Sequence, residues 1–197
     1  GKPWPSMPLA KTRMVATPVW WFYVLWLPDY LSQGRGFSLT EIGLYGWMPY
    51  LTVDLGKMAG GAASDALLAR GASVTLARKS VMLGGALAMM SGLQVVGAAT
   101  PAAAIAWICV ATFGFGMWSA NILALHADVF PPDTMGSAVG ATLMAVGLGG
   151  AAFTFVVGQV VDRVGYAPVF YFVGSLALVA CLALFFLLGR VERIGDT

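Results

Sequence analysis

The chain has 197 residues, of which 11 are Lys or Arg and 9 are Asp or Glu, so charged residues make up only 10% against 59% hydrophobic, and the mean hydropathy is +0.81. A soluble domain carries about 25% charged residues, and so little polar side chain cannot coat a globule of this size in water; 12% aromatics excludes disorder as well. A formal charge of +2 with no run of basic residues excludes a nucleic-acid partner, and what is left is a membrane protein with no soluble domain of ordinary size.

A membrane-crossing helix needs roughly 20 apolar residues, and an unpaired charge at mid-bilayer costs a few kcal/mol, so charge-free stretches locate the spans. The first predicted helix covers 14–31; it holds Trp20, Trp21, Phe22, Tyr23 and Trp26, and its Pro18 and Pro28 predict a bend. Ser38 and Glu41 are spaced as a capping box, which starts a second helix over 42–68. Residues 80–127 carry no charge and divide at Thr100-Pro101 into helices over 80–99 and 102–127. Two further charge-free runs, separated by Asp162-Arg163, give helices over 136–161 and 168–189. The expectation is an all-α membrane protein, one bundle of six transmembrane helices. With the amino terminus cytoplasmic, Lys2, Lys11, Arg13, Arg70, Arg78, Lys79, Arg190 and Arg193 fall inside, and only Arg35 and Arg163 outside. The positive-inside rule thus places both termini in the cytoplasm. Cys109 and Cys181 lie in apolar runs and read as small hydrophobes rather than as a disulfide or metal pair. Gly1 is no initiator and no signal peptide is read ahead of the first span, so a fragment of a longer chain is among the expectations.

The segment 42–68 ends in Gly61-Ala-Ala-Ser-Asp65, and the same Gly-x-x-x-Asp phrase returns as Gly158 to Asp162, followed by Arg163; Gly43 and Gly140 match at the same offset. Three spans separate the copies, so they end on opposite membrane faces, the pattern of an inverted three-plus-three repeat over 13–99 and 102–189. Chance among 25 glycines is the alternative. Gly56-x-x-x-Gly60 and Gly136-x-x-x-Gly140 are spaced for close helix approach.

Gly61 to Asp65 with Arg70-Gly71 and Arg78-Lys79 resembles the loop signature between the second and third helices of each half of the major facilitator superfamily. The stretch Trp20 to Leu31, Asp54-Leu55-Gly56 with Gly60-Gly61, Arg70 to Lys79, Phe130-Pro131, Gly136 to Gly140, Met144-Ala145 and Gly149-Gly150 resemble, more narrowly, its anion:cation symporter branch, and in particular the carboxy-terminal half of hexuronate transporters. The resemblance implies a secondary transporter of a small organic anion, coupled to a proton or other cation, in the bacterial inner (plasma) membrane. Such proteins have twelve spans, so it also implies a missing amino-terminal six-helix half, or a homodimer partner in its place. The chain departs from the pattern at Ala66, where a basic residue is common, and at Thr142 and Leu143, where glycine is expected. The latch and the substrate are the properties those departures touch.

Asp54 and Lys57 lie near the middle of 42–68 and share a helix face at i,i+3. Charges at that depth must face a partner or a watery cavity. Two readings stand: a self-neutralising pair, or Lys57 attracting an anionic substrate that Asp54 holds or exchanges a proton with. Trp20 and Tyr23 are candidates to line a sugar-sized cavity, and the resemblance favours both. Trp118 and Asn121 share a face, the amide serving either a helix-to-helix hydrogen bond or a ligand. The resemblance assigns Gly61, Asp65, Arg70, Arg78, Lys79, Gly158, Asp162 and Arg163 to gating. His126 and Asp128 read as a solvated helix end ahead of Phe130-Pro131-Pro132, and neither a metal nor a cofactor is expected. An enzyme is the competing class, but there is no His-Glu-x-x-His, no Gly-x-Ser-x-Gly, and one histidine. A broader sugar, drug or metabolite carrier and a half-size membrane scaffold are the remaining alternatives.

Overall fold

The computed structural model describes residues 6–129 and 132–186, and every element among them is helical. In chain order these are α1 (Ser6–Asp29), which runs on as a π turn over Tyr30–Gly34; a short α2 (Leu39–Tyr45); α3 (Met48–Ala69); α4 (Val74–Met89), drawn out by a 3-10 stretch over Met90–Val95; α5 (Pro101–Val129); α6 (Pro132–Val164); and α7 (Ala167–Phe186). The segment 42–68 is thus divided between α2 and α3 around Gly46 and Trp47. The Phe130-Pro131 stop and the charges at Lys2, Arg190 and Arg193 lie outside the described residues, as do the side chains of His126, Asp128 and Cys181. Cys109 is a free, half-buried thiol.

Local chemistry explains where the helices start and bend. Ser38 caps α2: its hydroxyl accepts from the Glu41 amide at 3.3 Å, and the Glu41 carboxylate accepts from the Ser38 amide at 2.8 Å. Those bonds hold the Glu41 carboxyl below its usual range. In α1, Pro28 has no amide proton to give the carbonyl one turn back, that of Val24. The Tyr50 hydroxyl from α3 fills the gap, lying 3.3 Å from the Val24 carbonyl and 3.4 Å from that of Tyr23. In an apolar surrounding a carbonyl freed by proline needs such a partner.

Close approach of backbones sets the packing on one side of the bundle. A Cβ added at Gly60 would lie 2.6 Å from the Met117 Cα, and one at Gly85 would lie 2.6 Å from the Gly114 carbonyl oxygen. Gly56 meets the Phe113 backbone in the same way, and Gly116 meets Val53 and Lys57. Thus α5 lies directly against both α3 and α4. Thr52 and Thr112 join their hydroxyls at 2.8 Å across the first of these seams. The second glycine pair behaves differently: among the described residues nothing lies within 4 Å of a Cβ at Gly136 or Gly140, so that spacing makes no helix contact with them. The reason is position, because α6 runs along the edge of the bundle and only 11% of its most apolar window is buried, against 56% for α5.

On the other side α1 packs on α6 and α7, and α4 on α7. Gly150 and Gly158 of α6 make room for the indoles of Trp21 and Trp26. Phe22, Tyr23, Tyr30 and Phe170 form the aromatic core, Phe22 meeting Phe170 edge to face at 4.9 Å. Arg35 ties the π turn to the end of α4: Nε donates to the Tyr30 hydroxyl at 2.6 Å, Nη1 to the Ala98 carbonyl at 2.8 Å, and Nη2 to the Val95 carbonyl. Pro101–Leu125 and Met135–Val164, with mean hydropathies of 1.6 and 1.8, are each long and apolar enough to cross a membrane.

These contacts separate two neighbouring glycines. Gly56→Ala pushes a methyl into the Phe113 backbone, whereas Gly61→Ala enters open space. The expected result is a loss of about 1–3 kcal/mol for the first and almost none for the second, read from thermal unfolding in detergent.

Candidate functional site

A cleft of about 240 Å³ opens between α1, α3, α5 and α6. Phe115, Trp118, Ser119 and Ile122 supply its α5 wall at i, i+3, i+4 and i+7, one face of a single helix. Val53 and Lys57, one turn apart, supply the α3 wall, Trp20 and Trp21 that of α1, and Leu143 and Val146 that of α6. Trp20 lies flat on Phe115, with centroids 5.5 Å apart and planes within 4°, and meets Tyr50 edge on at 6.3 Å. Trp118 is 1% exposed and lines the cleft, while its indole nitrogen is buried and has no hydrogen-bond partner among the described residues.

Lys57 Nζ is 2.9 Å from Asp54 Oδ1, with side chains 46% and 69% exposed respectively. The pair therefore sits at the rim of the bundle rather than inside it. Lys57 borders the cleft and Asp54 stands just outside. An ammonium, the Ser119 hydroxyl and flat aromatic walls can together hold a small anion bearing hydroxyls.

The other candidates divide. Tyr23 is 2% exposed and lies in the aromatic core beside Phe22 and Phe170, with its hydroxyl next to Gly92, apart from the cleft lining. Asn121 is fully buried; its amide nitrogen donates to the Gly60 carbonyl at 3.1 Å and to the Met117 carbonyl at 2.9 Å. It thus bonds α5 to α3, while its Oδ1 has no partner among the described residues.

The first Gly-x-x-x-Asp copy closes on the next helix. Asp65 Oδ1 is 3.3 Å from Arg78 Nη1, and the same nitrogen donates to the Ser64 hydroxyl at 2.6 Å. Arg70 lies exposed at the turn, Gly71 supplies its positive φ of 87°, and burial lowers the Lys79 ammonium below its usual range. Gly61 has open space around it. In the second copy Gly158 packs on Trp26, and Asp162 and Arg163 are exposed. There Tyr166 donates to Asp29, whose other oxygen accepts from Gln33 at 2.7 Å. Burial pushes the Tyr166 phenol well above its usual range, helped by the bond and charge of Asp29 and the charge of Asp162.

Several of these residues escape a reading of the sequence. The α5 wall has helical periodicity and could have been found from Trp118 outward. Leu143, noted only as a departure from glycine, also faces the cleft. Ser64, Tyr50, Tyr166 and Arg35 act through partners distant in the chain, and no local spacing signals them.

Residues 6–154 match the family model of the Major Facilitator Superfamily, and the chain belongs to that family. It is 34% identical over 186 residues to a hexuronate transporter of Escherichia coli K12, covering 93% of this chain. It is 29% identical over 175 residues to a D-galactonate transporter of Escherichia coli O6:H1, and 30% identical over 184 residues to a probable galactarate/D-glucarate transporter of Bacillus subtilis, covering 89% and 90% of this chain. The chain spans about 40% of the length of these relatives. The family and these relatives are integral membrane transporters and not enzymes.

The exposure of the pair on α3 has a consequence for stability. An ion pair open to solvent on this scale is worth about 0–1 kcal/mol. Asp54→Asn and Lys57→Ala are therefore expected to shift unfolding in detergent by no more than that, singly or together. A loss of several kcal/mol in either single variant, recovered in the double, would make the pair structural.

Proposed function

We propose that this chain is the carboxy-terminal six-helix half of a secondary transporter that moves a small organic anion, such as a hexuronate or another sugar acid, by proton- or cation-coupled alternating access. The observation that carries the reading is the cleft in which Lys57 meets Trp20 and Trp118. Its donors and aromatic faces suit a carboxylate on a hydroxylated carbon chain, and the relatives are transporters of such acids by name.

The packing supports an inverted three-plus-three arrangement over 13–99 and 102–189. Exchange α1 with α5, α3 with α6, and α4 with α7. The contact of α3 on α5 then becomes that of α6 on α1, α4 on α5 becomes α7 on α1, and α3 on α4 becomes α6 on α7; each of these pairs is in contact. On this reading the spans are the segments 14–31, 42–68, 80–99, 102–127, 136–161 and 168–189, with both termini in the cytoplasm of a bacterial inner membrane. Asp65, Arg78 and the rest of the first signature form a cytoplasmic latch that stabilises one access state. Asp162, whose charge acts on Tyr166 beside Asp29, closes the opposite face. The substrate sits between two bundles, one supplied by a separate amino-terminal half or by a second copy. Asp54 and Lys57 meet that partner or the water between the bundles, because such charges are costly against lipid.

Reconstitution tests this. Liposomes holding the purified chain as a demonstrated monomer are expected to show no saturable uptake of labelled glucuronate, and co-reconstitution with the amino-terminal half of a hexuronate transporter is expected to restore it. Saturable, proton-coupled uptake by the monomer would overturn the half-transporter reading. In the restored system Lys57→Ala is expected to weaken acid binding about tenfold or more while sparing a neutral sugar; equal losses for both would remove Lys57 from anion recognition. Asp65→Asn should change turnover and leave substrate affinity near its starting value.

A further inference from the structure

A second concavity lies away from the cleft, on the outer side of α6 and α7. It is a groove of about 450 Å³ lined by Phe153, Val156, Val160, Val169 and Phe172 among other apolar side chains. Phe153 and Phe172 stack at 6.1 Å with planes 24° apart and form one wall. The groove runs up to the turn that joins the two helices at Gly165.

Arg163 stands at that end. It is three residues beyond Val160 and seven beyond Val156, which puts it on the groove stripe of α6. Arg163 lies just beyond the lining residues; helical side chains lean toward the amino end of their helix, which directs its stem toward the groove, and an exposed arginine at a helix end carries its head to the polar boundary. It is exposed and makes no ion pair among the described residues. Its neighbour Asp162 is about 100° round the helix, off the groove stripe, and its charge reaches Tyr166.

From this juxtaposition we infer that the α6 and α7 groove is a phospholipid site, taking one acyl chain along Phe153, Val156 and Val160 and the lipid phosphate on Arg163. The inference rests on the proposal that α6 and α7 span the membrane. A purely apolar trough would take any hydrocarbon; a trough capped by one unpaired guanidinium at headgroup depth matches an amphiphile with a single anionic head. A second copy of this chain would have to bring a carboxylate to the same point.

The test uses the full chain in nanodiscs of phosphatidylethanolamine and phosphatidylglycerol, with a trace of phosphatidylglycerol carrying a diazirine at mid-chain. After irradiation, labelled peptides are mapped. Labelling is expected to concentrate on 152–172, to fall about tenfold in Arg163→Gln, to persist in Arg163→Lys, and to disappear from the groove in Val156→Trp while continuing on other helices. Labelling there no denser than on the rest of the bundle overturns the site and leaves the spanning reading intact. No labelling anywhere overturns the spanning reading itself. Chain-to-chain crosslinks through Phe155→Cys, with the groove free of lipid label, would put a second copy there instead and also overturn the site.

Discussion

The contact between the backbones of α3 and α5 is the constraint on which the rest of the structure depends. Gly116 lets the Val53 and Lys57 backbone come close enough that no side chain fits between. That approach puts Lys57 beside Phe115, Trp118 and Ser119 instead of a helix diameter away. With little hydrophobic driving force between helices in lipid, such contacts and a few hydrogen bonds hold the bundle. Thr52 on Thr112, and Asn121 on the Gly60 carbonyl, supply the directional part along the same seam. The cleft is thus a consequence of small residues several turns apart rather than of the residues that line it.

The other half of the bundle is joined by a different chemistry. There α1 meets α6 and α7 through large aromatics fitted to glycines, and through polar ties at one end. Arg35 holds the π turn to the carbonyls of Val95 and Ala98, at and beyond the end of the 3-10 stretch that follows α4, and Tyr166 holds the start of α7 to Asp29. The Asp65 and Arg78 pair does the corresponding work between α3 and α4. Each Gly-x-x-x-Asp phrase therefore lies beside a polar junction, though the partners differ: a guanidinium in the first, a phenol bonded to another carboxylate in the second.

Much of this was legible in the sequence where the determinants are local. The Ser38 and Glu41 spacing gives the start of α2, and Gly56 with Gly60 gives a close helix contact. The i,i+3 spacing of Asp54 and Lys57 gives their ion pair. Position within the bundle was not legible. Tyr23 and Trp20 share a face three residues apart, yet one is in the core and the other in the cleft, because neighbouring parts of that face meet different helices, Tyr23 meeting Phe170 of α7 and Trp20 meeting Phe115 of α5. Gly136 and Gly140 repeat the spacing of Gly56 and Gly60 without its contact, because spacing states what a helix permits and not what lies opposite. Tyr50 completing the carbonyl freed by Pro28 was likewise beyond any local pattern.

The seam between α1 and α6 carries one more consequence. Trp21 and Trp26 reach into it with indole N–H groups that have no hydrogen-bond partner among the described residues, fitted against Gly150 and Gly158. An indole held dry and unbonded emits at shorter wavelength than one in water. In a variant that keeps only these two of the seven tryptophans, the rings are therefore built-in optical probes of whether α6 is seated on α1, and separation of the helices would appear as a red shift without any label being attached.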